Sequence, residues 1–402
     1  MMLEIKPIFN ALRRSKAGAL MLLIQIAITT AIVSNAAFII KDKIEYLQQE
    51  TGYPEDGIFS FGVLTYGKDI DLSQMFEEDE TMLRNTPGVI DASLFSDVPV
   101  SGSGSASSFH LDADPTDSKS VRAAYTMVDD HGLNTLGVKV SEGRAFTAED
   151  IVVSQDRSKV PTVGIVTKAF LEEMFPDGDG LGNTIYFGPN PLKIIGVVEK
   201  MKGPWLRDRA SDNVVIFPMV RASSFQNIVV RTNAADRSAI LGQIEDLMLA
   251  KYDKRVVVGL QGMDDAKDEY NAGDVLMMRM LVVLIVVLVL VTALGIFGLT
   301  VFNINKRTKQ IGTRRALGAR KSAIVSYFLV ENAMVCFVGL LLGTIGALLL
   351  GQALFEYFSL PELDYLYIVM TAIFVLCFSL LSVILPANKA ANISPSIATR
   401  SI

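Results

Sequence analysis

The stretch from Asn305 to Ser322 (NKRTKQIGTRRALGARKS) carries seven cations, Lys306, Arg307, Lys309, Arg314, Arg315, Arg320 and Lys321, and no acid, and it lies between two long apolar segments. Basic residues flanking apolar segments are retained on the cytoplasmic side of a membrane, so this loop constrains the topology of everything around it. From about Lys306 to Leu317 it reads as a short amphipathic helix, with Ile311, Ala316 and Leu317 apolar against a polar remainder.

Four stretches are long enough to cross a hydrocarbon core, which takes roughly 20 apolar residues at about 1.5 Å each: residues 17–40, 281–302, 324–353 and 365–385. The charges outside them agree on one orientation. Lys6, Arg13, Arg14 and Lys16 precede the first segment against Glu4 alone. Loop 354–364 carries Glu356, Glu362 and Asp364 with no Lys or Arg, and the tail 386–402 has Lys389 and Arg400 with no acid. Both termini (1–16 and 386–402) and the loop 305–322 are therefore expected inside. The first segment has a basic start and a small-x-small site at Ser34-Asn35-Ala36, as a signal peptide has, but its apolar run is too long for one. It reads as a retained helix that continues through residues 41–50 as a stalk until Thr51-Gly52-Tyr53-Pro54 stops it.

Residues 41–275 form the one large block between membrane segments, with 23 Lys or Arg against 38 Asp or Glu, a balance of −15. It is expected outside, is large enough to bury a core of its own, and its charge disfavours nucleic acid and anionic lipid as partners. Cys336 and Cys377 fall in apolar segments, leaving no disulfide framework outside; both read as small buried hydrophobes.

The block shows two similar passes of strand, helix and strand: 58–66, 72–85 and 89–100, then 227–231, 237–252 and 256–260. This predicts an α+β domain assembled from its two flanks, 51–125 and 211–262, around an insertion at 126–210 that has short strands at 162–166 and 193–198. Ser101 to Ser108 (SGSGSASS) reads as a flexible stretch, and residues 264–278 as a second stalk helix.

The segment QIGTRRALGARKSAIVSYFLVEN resembles the cytoplasmic signature of MacB/FtsX-type ABC transporter permeases at Ile311, Gly312, Arg315, Ala316, Leu317, Gly318, Ala319, Ile324, Phe328, Leu329 and Glu331, with Gln310 where that family usually has Glu. GLNTLGVKVSEGRAFTAED, VGIVTKAFLEEMFPDGDGLGNTIYF and IIGVVEKM are similar to the family's periplasmic core domain, and PANKAANISPSIATR to its closing motif. The resemblance implies an α+β membrane protein with four transmembrane helices, an outer domain of Porter-like (51–125, 211–262) and Sabre-like (126–210) parts, and dimerisation with an identical or paralogous permease. It also implies a cytosolic ABC ATPase that engages the loop after the second helix and drives motion of the outer domain. No Walker A motif is present, since Gly318-Ala319-Arg320-Lys321-Ser322 lacks its first glycine and its Gly-Lys pair. No cofactor is expected on this chain, ATP and Mg belonging to a separate ATPase polypeptide.

Lys306, Arg307, Ile311, Arg314, Arg315 and Leu317 are the expected ATPase-coupling residues, the arginines to pair with carboxylates and Ile311 and Leu317 to insert as anchors; from charge alone they equally well serve topology. Glu331 is the one ionisable residue deep in an apolar segment, a functional candidate by default. It lies only about 15 Å beyond Lys321 at 1.5 Å per residue, within reach of the basic loop, and this favours a structural or coupling role over a proton relay. Gly339, Gly343, Ala347 and Gly351 follow at i+4 spacing as a small-residue ladder, for packing within the chain or for a dimer seam. Trp205, the lone tryptophan, is either a packing residue or a partner-facing anchor.

Catalytic constellations are absent: His110 and His131 sit apart with no Cys nearby, which gives a metal little support, and no nucleophile motif occurs. The expected function is a non-catalytic permease subunit of a bacterial inner-membrane transporter that exports a peptide, toxin or lipopeptide from the periplasmic side, with a membrane-fusion adaptor and a TolC-like outer-membrane channel completing the path. Lipoprotein extraction of the LolC/LolE type, FtsX-like regulation of a cell-wall hydrolase, and peptide sensing are the alternatives.

Overall fold

The structure, a computed structural model, describes residues 16–67, 70–116, 118–156, 158–358 and 361–394. The N-terminal segment through residue 15 and the closing motif from residue 395 lie outside the described residues. The chain divides into a helical unit, up to Gln48 and from Gly273, and a second unit, Gln49–Ala272. Helix α1, Lys16–Leu47, runs seven residues past the apolar segment, as the expected stalk does.

The second unit opens with β1 (Ile58–Thr65), α2 (Leu72–Arg84) and β2 (Val89–Phe95). Asp71 starts α2 by accepting from the Ser73 and Gln74 amides at 3.0 and 3.2 Å, which satisfies two of the donors that a helix start leaves free. Then follow β3 (Ser105–His110), β4 (Ser120–Val128), α3 (Gly132–Leu136), β5 (Val140–Gly143), β6 (Val152–Val153), β7 (Val163–Thr167), α4 (Lys168–Met174), β8 (Thr184–Phe187), β9 (Asn190–Val198) and β10 (Val214–Val220). The second pass is β11 (Phe225–Thr232), α5 (Ala234–Leu241), α6 (Ile244–Lys251) and β12 (Arg255–Gly262). The single helix expected over 237–252 is two, broken at Gly242 and Gln243, because glycine is a poor helix former and interrupts the run.

The two passes interleave. The strand order β12-β1-β11-β2 is antiparallel throughout, with Phe61 opposite Ile228 and Gly62 opposite Val258. One core forms on these strands and the helices packed against them: Phe59, Phe61, Val63, Leu94, Ile228 and Val230 meet Met75, Phe76 and Leu83 of α2 and Ile240, Ile244 and Met248 of α5 and α6. Within it Arg255 and Asp79 are wholly buried and paired at 2.6 Å, and the guanidinium also stacks on Tyr252. Loss of either partner leaves an uncompensated buried charge.

A second core lies in the insertion, where β4, β3, β8, β9, β7 and β10 pair in a closed ring, since β10 returns to pair with β4. Phe109, Phe187, Phe217 and Tyr125 cluster there with ring centroids 5.3–6.3 Å apart, and α4 contributes Phe170 and Met174. The ring draws in residues from both expected flanks. Residues 105–125 and 214–220, assigned from the sequence to the Porter-like part, supply β3, β4 and β10, so the insertion extends on both sides of 126–210. The expected flexible stretch ends early for the same reason: Ser105–Ser108 pairs in register with residues 122–125 to carry Phe109 into the core.

The helical unit continues with α7 (Met263–Lys306), α8 (Thr308–Ala316), α9 (Lys321–Phe358) and α10 (Tyr365–Ala391). The second stalk and second apolar segment are one unbroken helix, α7. With α1, α7, α9 and α10, four helices among the described residues are long and apolar enough to cross a membrane. The glycine ladder of α9 packs on α1: a Cβ at Gly343 would sit 2.6 Å from Thr30 Cβ and 2.9 Å from the Ala27 carbonyl, and one at Gly339 would sit 2.9 Å from Ile26. Ala347 is fully buried, its carbonyl accepting from Asn35 at 3.0 Å, and Gly351 faces Asn35 and Leu363. Of the two uses weighed for the ladder, the structure shows packing within the chain. Cys336 is buried between α1 and α10, whereas Cys377, expected to be buried as well, is exposed on α10.

Candidate functional site

The basic loop folds as a helical hairpin. Helix α7 ends at Lys306, where Arg307 leaves helical geometry (φ −110°, ψ 14°) and the Thr308 hydroxyl donates back to the Ile304 and Asn305 carbonyls at 3.1 and 3.0 Å. Helix α8 ends in a left-handed Gly318 (φ +90°), with the Ala319 amide bonded to the Arg314 carbonyl and the Gly318 amide to that of Arg315. This paired closure is the Schellman arrangement, and it favours glycine because a side chain at positive φ is strained.

One face of α8 is held by the chain itself. Ile311 and Gly312 are buried, Ile311 against a core that includes Leu22, Ile296, Ile324, Phe328 and Val383. Ile311 is thus committed to internal packing rather than presented as an anchor. Leu317 is 83% exposed, and Lys306, Lys309, Arg314 and Arg320 are exposed in the same hairpin. An exposed apolar side chain in a cation-rich hairpin is suited to dock on an acidic groove with an apolar floor.

The remaining cations have partners. Arg307 Nη1 donates to Glu331 Oε2 at 2.9 Å and to the Tyr327 hydroxyl at 3.1 Å, so Glu331, 5% exposed, is neutralised by the loop. Arg315 Nη1 donates to the Ala319 carbonyl at 2.9 Å, bracing the turn, and Lys321 donates to Asn392 at 2.6 Å. Lys306 lies over the Phe302 ring at 4.7 Å and Arg314 over the Tyr327 ring at 5.4 Å. Below Glu331, Asn332 donates to Ser379 at 2.7 Å, tying α9 to α10. Between α8 and the start of α9 is a cavity of about 100 Å³ lined by Arg307, Gln310, Arg314, Ile324, Tyr327 and Phe328, among others.

Sequence reasoning placed Glu331 within reach of the loop but missed Tyr327, which joins Arg307 to Arg314. The available signal was spacing, since Tyr327 and Glu331 stand at i and i+4 and share one helix face. Trp205 is half-buried in the second unit, beside Ala106, Ala124 and Asp208. His131 Nδ1 donates to the Asp91 carboxylate at 3.0 Å, His110 is on β3, and no group of metal-ligating residues occurs among the described residues.

Four apolar helices, a basic helical hairpin at one end of them and a large α+β domain inserted after the first helix define a membrane permease with an extracytoplasmic domain. The chain belongs to the MacB/FtsX-like ABC transporter permease family: residues 21–247 match the MacB-like periplasmic core domain and residues 282–395 the FtsX-like permease C-terminal domain. It is 27% identical over 286 residues to YknZ of Bacillus subtilis, described as an uncharacterized ABC transporter permease, covering 69% of this chain and 70% of that protein. It is 26% identical over 270 residues to the macrolide export ATP-binding/permease protein MacB of Acinetobacter baylyi, covering 64% of this chain and 40% of that one. The chain thus spans about two-fifths of the length of the MacB proteins it matches. Among solved structures, the periplasmic region of MacB from Actinobacillus actinomycetemcomitans aligns with 56% of this chain and 97% of its own at a TM-score of 0.34 and 15% identity.

Proposed function

We propose that this chain is the membrane subunit through which a separate cytosolic ABC ATPase drives the extracytoplasmic domain, in a transporter that exports a peptide, toxin or lipopeptide. The carrying observation is the hairpin around α8: a helix anchored by buried Ile311 that leaves Leu317, Lys309 and the neighbouring Lys306 and Arg320 exposed. A helix locked to the bundle by buried packing moves with it, so force applied to Leu317 and its neighbours reaches α7 and α9 directly. The Arg307–Glu331 pair stiffens that joint, because it bridges the break between α7 and α8 to the second turn-pair of α9. A second permease, identical or paralogous, a fusion adaptor and an outer-membrane channel complete the proposed assembly, which sits in the bacterial inner membrane with the hairpin on the cytosolic side.

Purification of the tagged full-length chain in mild detergent, with identification of bound partners and an ATPase assay, tests this reading. An ABC ATPase is expected to co-purify, and Leu317→Asp and the double change Arg314→Glu with Arg315→Glu are each expected to weaken its retention at least tenfold, the loss of one interface anchor of about 1.4 kcal/mol or more. A folded wild-type chain that retains no ATPase, or retention unchanged by Leu317→Asp, overturns it. An adaptor among the partners supports export; a cell-wall hydrolase in its place overturns the export part of the proposal.

A further inference from the structure

We propose that the cavity between α8 and the first turns of α9 binds the phosphate of an anionic membrane phospholipid, with Arg314 as its charge partner. This rests on the four helices spanning the membrane and is independent of any ATPase.

Three observations carry it. The first is charge. The cavity is lined by two guanidinium groups and no carboxylate. Arg307 is already engaged by Glu331, while Arg314 touches the Tyr327 ring and has no carboxylate partner among the described residues. A cation without an anion, beside an apolar wall that strengthens its field, is a site for a monoanion.

Depth is the second. Ala323, Ile324, Tyr327 and Phe328 belong to the first two turns of α9, which at 1.5 Å per residue lie within about 12 Å of its start. There the chain passes from the cation-rich hairpin into the apolar run, the depth at which lipid phosphates sit, and basic pockets between helices at that level hold acidic head groups.

The third is shape. In its lining Ile311, Ile324 and Phe328 are buried while Gln310 and Arg314 are exposed, so the cavity is itself amphiphilic. Its volume of about 100 Å³ leaves room for a phosphate group.

The purified full-length chain, delipidated in detergent and supplied with phosphatidylglycerol or phosphatidylcholine of matched acyl chains, is examined by native mass spectrometry. The wild type is expected to retain one phosphatidylglycerol about tenfold better than phosphatidylcholine. Arg314→Gln removes a charged hydrogen-bonding partner and is expected to lower phosphatidylglycerol retention roughly tenfold, while Lys309→Gln, an equal charge change on the same helix outside the cavity, leaves it within about twofold. In a Cys377→Ala background, protection of the buried Cys336 thiol verifies that each variant keeps its bundle. Equal retention of the two lipids, or undiminished phosphatidylglycerol on Arg314→Gln, overturns the site. Displacement of the lipid by millimolar glycerophosphoglycerol overturns the membrane as the source, leaving a soluble phosphate ester in its place.

Discussion

At the scale of single residues, the least comfortable charge outside the membrane is Glu80. It is buried with Asp91 and Asp129, and the three carboxylates share Arg84, whose Nη2 lies 2.8 Å from Asp129 and 3.6 Å from Glu80 and whose Nε lies 3.4 Å from Asp91. His131 faces Asp91, and the Leu94 amide donates to Glu80 at 2.8 Å. One cation does not balance three anions. Burial first, and the neighbouring Asp129 charge second, push the Glu80 carboxyl well above the usual glutamate range. The folded chain therefore binds this proton more tightly than the unfolded chain. Glu80 thus favours the folded state most below the ordinary glutamate pKa, and the benefit is lost as pH rises through the elevated folded value. Glu80→Gln keeps an acceptor for Leu94 and a donor toward Asp129 with no charge to desolvate. It is expected to raise stability at pH 8 by roughly 1–3 kcal/mol and to flatten the decline between pH 5 and 8. Trp205 is the chain's single tryptophan and lies in the second unit, so its fluorescence during urea unfolding reads this effect without interference from the helices. An unchanged slope with pH would remove Glu80 as its source.

At the scale of elements, α1 and α9 pack closely, and their contact depends on what is missing from Gly343. Gly343→Leu places carbon where Thr30 and the Ala27 backbone already stand and is expected to cost about 3 kcal/mol or more. Gly298→Leu is the matched control, since nothing lies within 4 Å of a Cβ there on exposed α7. In a Cys377→Ala background, Cys336 is the one described thiol and lies next to Ile26 of α1. Faster labelling of Cys336 by a maleimide in Gly343→Leu but not in Gly298→Leu is the expected result; equal rates would mean that α1 and α9 do not need the ladder. The ladder and the four apolar segments were legible in the sequence because membrane helices impose long runs and i+4 spacing. So were the strand–helix–strand passes, with Phe59, Phe61 and Val63 alternating against α2. The closed ring was not. Its pairings, β4 with β10 above all, join residues some ninety apart, and no local period records such a contact. In the site, the cation-rich segment was visible as composition, but the division of labour among its cations was not. Which face of α8 is buried depends on Ile324 and Val383 of later helices, Val383 some seventy residues on.

For the whole molecule, charge distribution carries the orientation we propose, with the hairpin inside and residues 49–272 outside. A Leu317→Cys variant lacking both native cysteines is expected to resist a membrane-impermeant maleimide in intact cells and to react once the cells are opened, whereas a cysteine placed at exposed Glu149 reacts in both once the reagent passes any outer wall. Labelling of position 317 in intact cells would invert the orientation. The interleaved order β12-β1-β11-β2 has a consequence in time. Neither β1 nor most of β2 has a partner strand until β11 emerges, about 160 residues after Thr65, because β1 pairs only with β11 and β12 and β2 meets β4 at a single residue pair. At 5–20 residues per second of synthesis that interval is on the order of 10–30 s. The inserted ring, complete by Val220, closes first. The first two strands wait beside it with their hydrogen-bonding edges open, which makes this interval the point in the protein's life when a chaperone on the outer side of the membrane has most to protect.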